Sequence, residues 1–261
     1  TAWTLPGNHL LVSLVISISV MADRYLFLVG LILVAAISCS PQEATNAPEK
    51  NAAPLVLLKP KPKIMTAAQR AELGFPPDII AQVEAAGGAP AEPFFEDVMI
   101  RSSNLKGDVM IATARLSGFS VHTLRADEVI SSLSPAFRSQ GFLVFRSQQN
   151  YGNVPDVVTV IRGKSSYDIL LVQKTEAPRH DLDTKAIIKW LKGQQRTGTF
   201  VITGAGADWL EARFIVPPKN MNAFARSVGS FAPEVLAENK GTIEKLADTM
   251  RRSNGFSLWW D

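Results

Sequence analysis

The stretch Thr199-Phe-Val-Ile-Thr-Gly-Ala-Gly-Ala-Asp-Trp-Leu-Glu-Ala-Arg-Phe-Ile-Val216 decides the architecture. It holds two strand-like runs, Thr199–Thr203 and Trp209–Val216, with too few residues between them for a crossover helix. Strands joined in this way are antiparallel neighbours, so the class is α+β rather than doubly wound α/β. Gly204-Ala-Gly206 has no third glycine and leads into a strand, which excludes a dinucleotide fingerprint with a helix N-terminus for the phosphate. It reads as a hairpin that uses glycine's freedom at positive φ. In Trp209–Val216, Leu210, Ala212, Phe214 and Val216 share one face, and Trp209, Glu211, Arg213 and Ile215 the other.

The flanking periodicities extend the pattern. On the C-terminal side, helices are expected at Asn220–Phe231 and Thr242–Ser253 and a strand at Phe256–Trp260. On the N-terminal side, the expectations are helix Asp183–Gln195, strands Ile169–Gln173, Val157–Ile161 and Phe142–Ser147, helix Asp127–Leu133 with a kink or restart at Pro135, and strand Val109–Ala114. Each helix is amphipathic and needs a sheet to cover, as with Leu246, Ala247 and Met250 in Thr242–Ser253. The result is a two-layer α/β sandwich with a mainly antiparallel sheet, its C-terminal half a ferredoxin-like β-α-β-β-α-α-β.

Before this domain, placed at residues 98–261, come a short helical preface at 64–97 and a Pro-rich tether at 39–63. In the preface, Pro77 opens a helix that Gly87-Gly88 stops, and Pro90 to Pro93 reads as a connector. Upstream, the apolar run Tyr25–Ser38 ends on Cys39, the single cysteine of the chain. This resembles the lipobox of bacterial lipoproteins, with residues 21–38 as signal peptide and Cys39 as the acylated first mature residue. The run is too short to span the roughly 30 Å hydrocarbon core comfortably. Residues 1–20 read as an over-extended start. The implied localisation is the bacterial cell envelope, lipid-anchored; Ser40 after the cysteine favours the outer membrane over the inner.

The formal net charge of the 261 residues is +3, and no Lys/Arg block is interleaved with aromatics, so nucleic acid is not an expected partner. Beyond the signal segment the histidines are His122 and His180, with no ligand spacing around them; no metal and no cofactor are expected. His180 sits in a loop before a helix whose N-cap is expected at Asp183. A Gly-x-Ser-x-Gly elbow is missing, so serine catalysis lacks support. No catalytic residue is assigned.

The candidate binding residues follow from side-chain parity. If the last strand lies near Trp209–Val216, then Trp209, Glu211, Arg213, Trp259 and Asp261 gather on the face away from the helices, where aromatics mixed with charge suit a protein surface. The competing reading buries both tryptophans as ordinary core. Tyr151, in the polar loop Gln148–Asn153, is a further candidate. The leading functional reading is a non-enzymatic, lipid-anchored envelope protein that binds another protein, of immunity or accessory type. The alternative is an envelope hydrolase or small-molecule site using carboxylates Glu211, Asp261 or Asp208.

Trp190-Leu-Lys192, the run Gly204–Phe214, Pro217-Pro218, Phe231-Ala-Pro233, Gly241-Thr242 and the terminal Leu258-Trp-Trp-Asp261 together resemble the family catalogued as domain of unknown function 4253. The resemblance is best over 183–261 and extends more loosely to about Val98, through Gly141-Phe-Leu-Val-Phe145 and Pro155-Asp156. Ala232 departs from it, since many members carry a cysteine there. The resemblance implies a fold unit and no chemistry.

Overall fold

The computed structural model describes residues 63–261 except 105, 106, 153, 240 and 261, and for 101–104 and 107–109 the backbone alone. The signal segment, Cys39 and nearly all of the tether lie outside the described residues, as does Asp261.

Two short helices come first, α1 (Ala67–Leu73) and α2 (Pro77–Gly87), followed by strands β1 (Glu92–Asn104) and β2 (Gly107–Thr123). Helix α3 (Ala126–Ser139), strands β3 (Phe142–Gln148) and β4 (Asp156–Arg162), and helices α4 (Asp168–Gln173) and α5 (Thr184–Gln194) come next. The chain ends with β5 (Thr199–Ala205), β6 (Trp209–Val216), α6 (Met221–Phe231), α7 (Pro233–Glu238), α8 (Ile243–Ser253) and β7 (Gly255–Trp259). Local chemistry sets several starts. Thr66 and Gln69 form a capping box on α1, and the Asp183, Asn220 and Thr242 side chains cap α5, α6 and α8. None of the described helices is long and apolar enough to cross a membrane.

The seven strands of the described residues form one sheet in the order β1-β2-β4-β3-β5-β6-β7. Every pairing is antiparallel except β3 with β5, which joins the two halves. The expected α+β class with a mainly antiparallel sheet is therefore what the chain adopts. Alternation along β3 sends Phe142 and Val144 into a core shared with α1, α2 and α3, and Leu143 and Phe145 into a second core shared with α4 to α8. The helices thus cover opposite faces in the two halves, and β3 and β4 are buried on both sides. Over β5, β6 and β7 only one face carries that second core, through Phe200, Ile202, Leu210, Ala212, Phe214, Phe256 and Leu258.

Several details correct the sequence expectations. Ile169–Gln173 is helix α4 rather than a strand. Ile169 and Leu170 are adjacent and both buried, Asp168 Oδ2 accepts from the backbone N–H of Lys164 and Ser165, and Lys174 closes the helix at φ 51°. A short apolar run carries no period able to separate the two states. Losing that strand, with β5, β6 and β7 adjacent in chain order, removes the interleaving that a ferredoxin-like half requires. Strand β1 starts within the expected connector, since an edge strand tolerates Pro93. Helix α3 runs through Pro135 without a restart.

The preface helices are part of the first core. Phe75 packs edge-on to Phe119 and against Phe142, and the Arg162 guanidinium lies 4.8 Å from the Phe75 ring centroid and 5.3 Å from that of Phe142. Arg162 also donates to the Gly74 carbonyl at the end of α1, tying that turn to β4. In the other core Trp190 of α5 stacks on Phe231 of α6 at 4.1 Å, and Trp260 meets Phe231 edge-on while its Nε1 donates to the Phe231 carbonyl.

Candidate functional site

Strands β6 and β7 are direct neighbours, and their register sets Trp209 opposite Trp259, Glu211 opposite Ser257 and Arg213 opposite Gly255. Four of the expected residues, Trp209, Glu211, Arg213 and Trp259, therefore share the parity that points away from the second core, on a face that neither core of the described residues covers, although Trp259, on the edge strand, also packs part of its side chain against the second core. Trp209, Glu211 and Trp259 are half-buried, and Arg213 and Ser257 are exposed. Both tryptophans are thus neither core nor fully displayed. The neighbouring Trp260 points into the core at 4 % exposure. Trp259 also walls a groove of about 340 Å³ along the outer edge of β7, with Val235, Asn239, Leu246, Met250 and Ser257.

The glycines of the β5–β6 link matter by closeness, not by φ. Neither Gly204 nor Gly206 is in the left-handed region, which corrects the expected reason for them. A Cβ on Gly206 would lie 2.2 Å from Trp209 Nε1, so the indole folds over the bare backbone there. A Cβ on Gly204 would lie 2.7 Å from Glu211 Oε1.

Gly204 is paired with Arg146 on one side and Glu211 on the other, so the three residues form one rung across β3, β5 and β6. Neighbouring strands are about 4.8 Å apart, so only long side chains meeting above a glycine span this rung. Arg146 Nη1 donates to Glu211 Oε2 at 2.6 Å, Arg146 Nη2 is 3.1 Å from Asp127 Oδ1, and Arg146 Nε is 3.0 Å from Asp156 Oδ2. Arg213 Nη2 approaches Asp127 Oδ1 at 3.8 Å. The Arg146 side chain is 7 % exposed, Glu211 17 %, and Asp127 71 %. Two cations thus face three carboxylates, and the outermost is open to water.

The electrostatics follow from this geometry. Burial works against the Arg146 charge, but Glu211, Asp127 and Asp156 outweigh it and hold the guanidinium above its ordinary value. Burial pushes the Glu211 carboxyl up. Arg146 and Arg213 pull it down and Asp127 pushes it up again, and the balance stays raised.

Arg146, Asp127 and Asp156 are not among the sequence candidates. The signal was the alternation Phe142, Val144, Arg146: an arginine continuing a buried face has to bring carboxylates with it. Tyr151 is 81 % exposed at φ 52°, on a loop that Asp156 fastens by accepting the Asn150 N–H at 2.7 Å. It stands beside the cluster without joining the tryptophan pair by any described contact. Asp208 is exposed in the β5–β6 turn, and its carbonyl accepts the Trp260 N–H. Asp183 caps α5 as expected, accepting from Ala186 N–H at 2.7 Å, whereas His180 pairs through Nε2 with Glu234 Oε1 at 2.8 Å. Among the described residues, no three His, Cys, Asp or Glu converge as a metal site.

Residues 157–261 match the family model described as Domain of unknown function (DUF4253). No curated protein and no solved structure matches the chain significantly. The match begins in β4. Trp209, Glu211, Arg213 and Trp259 therefore lie within the matched segment, and Asp127, Arg146 and Asp156 lie ahead of it.

Proposed function

We propose that this chain is a lipid-anchored protein of the bacterial envelope, held through Cys39, whose domain binds another protein through the face of β5, β6 and β7 turned away from α4 to α8. The observation that carries the binding reading is the Trp209–Trp259 pair, directly opposed across β6 and β7 with Arg213 exposed beside it. Half-buried tryptophans are held in place before a partner arrives, so little side-chain entropy is lost on binding. Tryptophan and arginine are also the residues enriched where protein interfaces concentrate their energy. The Arg146 rung beneath fixes Glu211 and positions Arg213 through Asp127. In this reading the protein is an accessory or immunity-type factor, the Pro-rich tether spaces the domain from the lipid, and Ser40 after Cys39 favours the outer membrane over the inner.

Hydrolysis by Glu211 with Asp261 has one observation in its favour, the raised Glu211 carboxyl. That carboxylate is committed to Arg146 at 2.6 Å, which makes it an ion-pair partner first.

A photo-cross-linking side chain at Arg213, on the whole chain expressed in a bacterial envelope, tests the binding reading against the same side chain at Lys189 on α5. A discrete adduct from position 213 that is lost with Trp259→Ala and missing from position 189 supports it. Equal cross-linking from both positions, or none from 213, rules this face out.

A further inference from the structure

We infer that this protein self-associates through the outer edge of β1, forming a two-fold dimer in which β1 pairs antiparallel with β1 of a second copy, centred on Met99. β1 runs for 13 residues, Glu92–Asn104, at the edge of the sheet. Its partner β2 is held by β4 only between Gly118 and Thr123. Beyond the Phe95–Leu116 pair the two strands form a ribbon with no third strand among the described residues. An isolated two-stranded ribbon is at best marginally stable in water. This one also carries large exposed apolar side chains, Phe95 at 42 %, Met99 at 55 %, Ile100 at 46 %, Met110 at 55 % and Ile111 at 45 %. Native edges are ordinarily short or blunted by proline and bulges. Here Pro93 and the bulge at Phe94/Phe95 lie at the base, and the stretch from Glu96 to Ile100 is regular.

Symmetry and charge select the register. A two-fold axis normal to the sheet keeps each face on its own side, so a residue can oppose only one of its own parity in the second copy. Centring on Val98 would set Asp97 against Met99 twice, placing a carboxylate on an apolar side chain, and would set Glu96, which Arg115 holds across β1 and β2, against Ile100. Centring on Ile100 would set Met99 against Arg101. Centring on Met99 sets Asp97 opposite Arg101 twice, Val98 opposite Ile100 twice, and Met99 opposite itself. That register also extends rungs already present, since Ile111 opposes Ile100 and Thr113 opposes Val98 within one chain. The four-stranded result carries the row Ile111, Ile100, Val98, Thr113 on one face and Ala112, Met99, Met99, Ala112 on the other. Cross-strand β-branched rows of this kind are the stabilising unit of sheets. The free edge of β2 offers no equivalent, because self-pairing centred on Ala112 sets Asp108 opposite Leu116 twice and gives no opposite-charge pair, Arg115 being engaged by Glu96 of its own ribbon.

The test is disulfide trapping in the whole chain carrying Cys39→Ser, which removes the native thiol. Opposed residues of an antiparallel pair have Cα atoms about 4.5–5.5 Å apart, inside the range a disulfide bridges. Met99→Cys should give a covalent dimer under mild oxidation, whereas Ala112→Cys, on the neighbouring strand, should stay monomeric. A mixture of Val98→Cys and Ile100→Cys chains should cross-link, and neither chain alone should. Sedimentation of the uncross-linked protein should show a dimer that Met99→Lys converts to monomer with an unchanged circular dichroism spectrum. A monomer at all accessible concentrations together with no Met99→Cys dimer overturns the inference, as does preferential trapping at Ala112.

Discussion

Arg146 and Glu211 belong to strands separated by β5, yet they bond at 2.6 Å above Gly204, the residue paired with both. This bridge crosses the single parallel junction of the sheet, between the half formed by β1 to β4 and the half formed by β5 to β7. Asp127 links the same arginine to the start of α3, and Asp156 links it to the loop bearing Tyr151. The open face of β5 to β7 is therefore referenced to the opposite half of the molecule by one guanidinium.

Arg146→Met should be strongly destabilising. It leaves Glu211 and Asp156 largely buried without their cation, and breaking a buried pair from one side costs about 3–5 kcal/mol. Glu211→Gln in the same background should recover part of that loss by removing the stranded charge. Urea denaturation of the four chains of this double-mutant cycle measures the coupling. Additive losses would mean that the two side chains do not act as a pair.

Gly204→Ala and Gly206→Ala should fail for different reasons. At Gly204 the new methyl meets Oε1, Cγ and Cδ of Glu211 at 2.7–2.9 Å, so the carboxylate is lifted off Arg146. At Gly206 it meets the Trp209 indole at 2.2–2.9 Å and turns that ring outward. Each should lose about 1–3 kcal/mol by overpacking. Only Gly206→Ala should red-shift the tryptophan emission. A red shift of equal size at Gly204 would contradict this assignment.

The two perturbed carboxyls should give opposite pH dependences. Burial raises Glu211 in the folded state, so the folded protein holds more protons than the unfolded chain from about pH 4.3 up to the raised value. The stability tied to Glu211 is full below that window and is lost as pH rises through it. Burial also pushes Glu84 upward, but the Ala91 N–H and Arg70 outweigh it and the carboxyl ends lowered. Its contribution is present above about pH 4.3 and is lost as pH falls through the lowered folded value. Wild-type stability minus that of Glu211→Gln should therefore shrink from pH 4 toward neutrality, while the corresponding difference for Glu84→Gln should grow. Denaturation midpoints across that range decide the matter, and a Glu211 difference that grew with pH would reverse the assignment.

Much of the C-terminal half was legible because its signals are local. The bounds of β6 follow from alternation and those of α6 and α8 from amphipathic spacing with Asn220 and Thr242 as caps. The gathering of Trp209, Glu211, Arg213 and Trp259 needed only parity plus the adjacency of β6 and β7. Three features were not legible, each for a physical reason. Ile169–Gln173 is too short for its period to distinguish helix from strand. Strand β1 was hidden by Pro93, which an edge position tolerates. The Arg146 rung depends on β3 lying beside β5, a contact between segments some fifty residues apart that no local pattern encodes.

The adjacent Trp259 and Trp260 should separate display from packing. Trp260 is 4 % exposed, meets Phe231 edge-on at 5.9 Å and donates Nε1 to the Phe231 carbonyl, while Phe231 stacks on Trp190. Trp260→Ala should cost about 3–5 kcal/mol, as deletion of a buried aromatic does. It should also loosen α6 against α5, seen as faster amide exchange in both helices. Trp259, half-buried and only partly packed against that core at the edge of the sheet, has less to lose on truncation, and Trp259→Ala should fall well short of the Trp260→Ala loss with exchange in α5 and α6 unchanged. Thermal unfolding and hydrogen exchange of the two variants check the contrast. A Trp259→Ala loss as large as that of Trp260→Ala would make Trp259 a packing residue and withdraw it from the binding face.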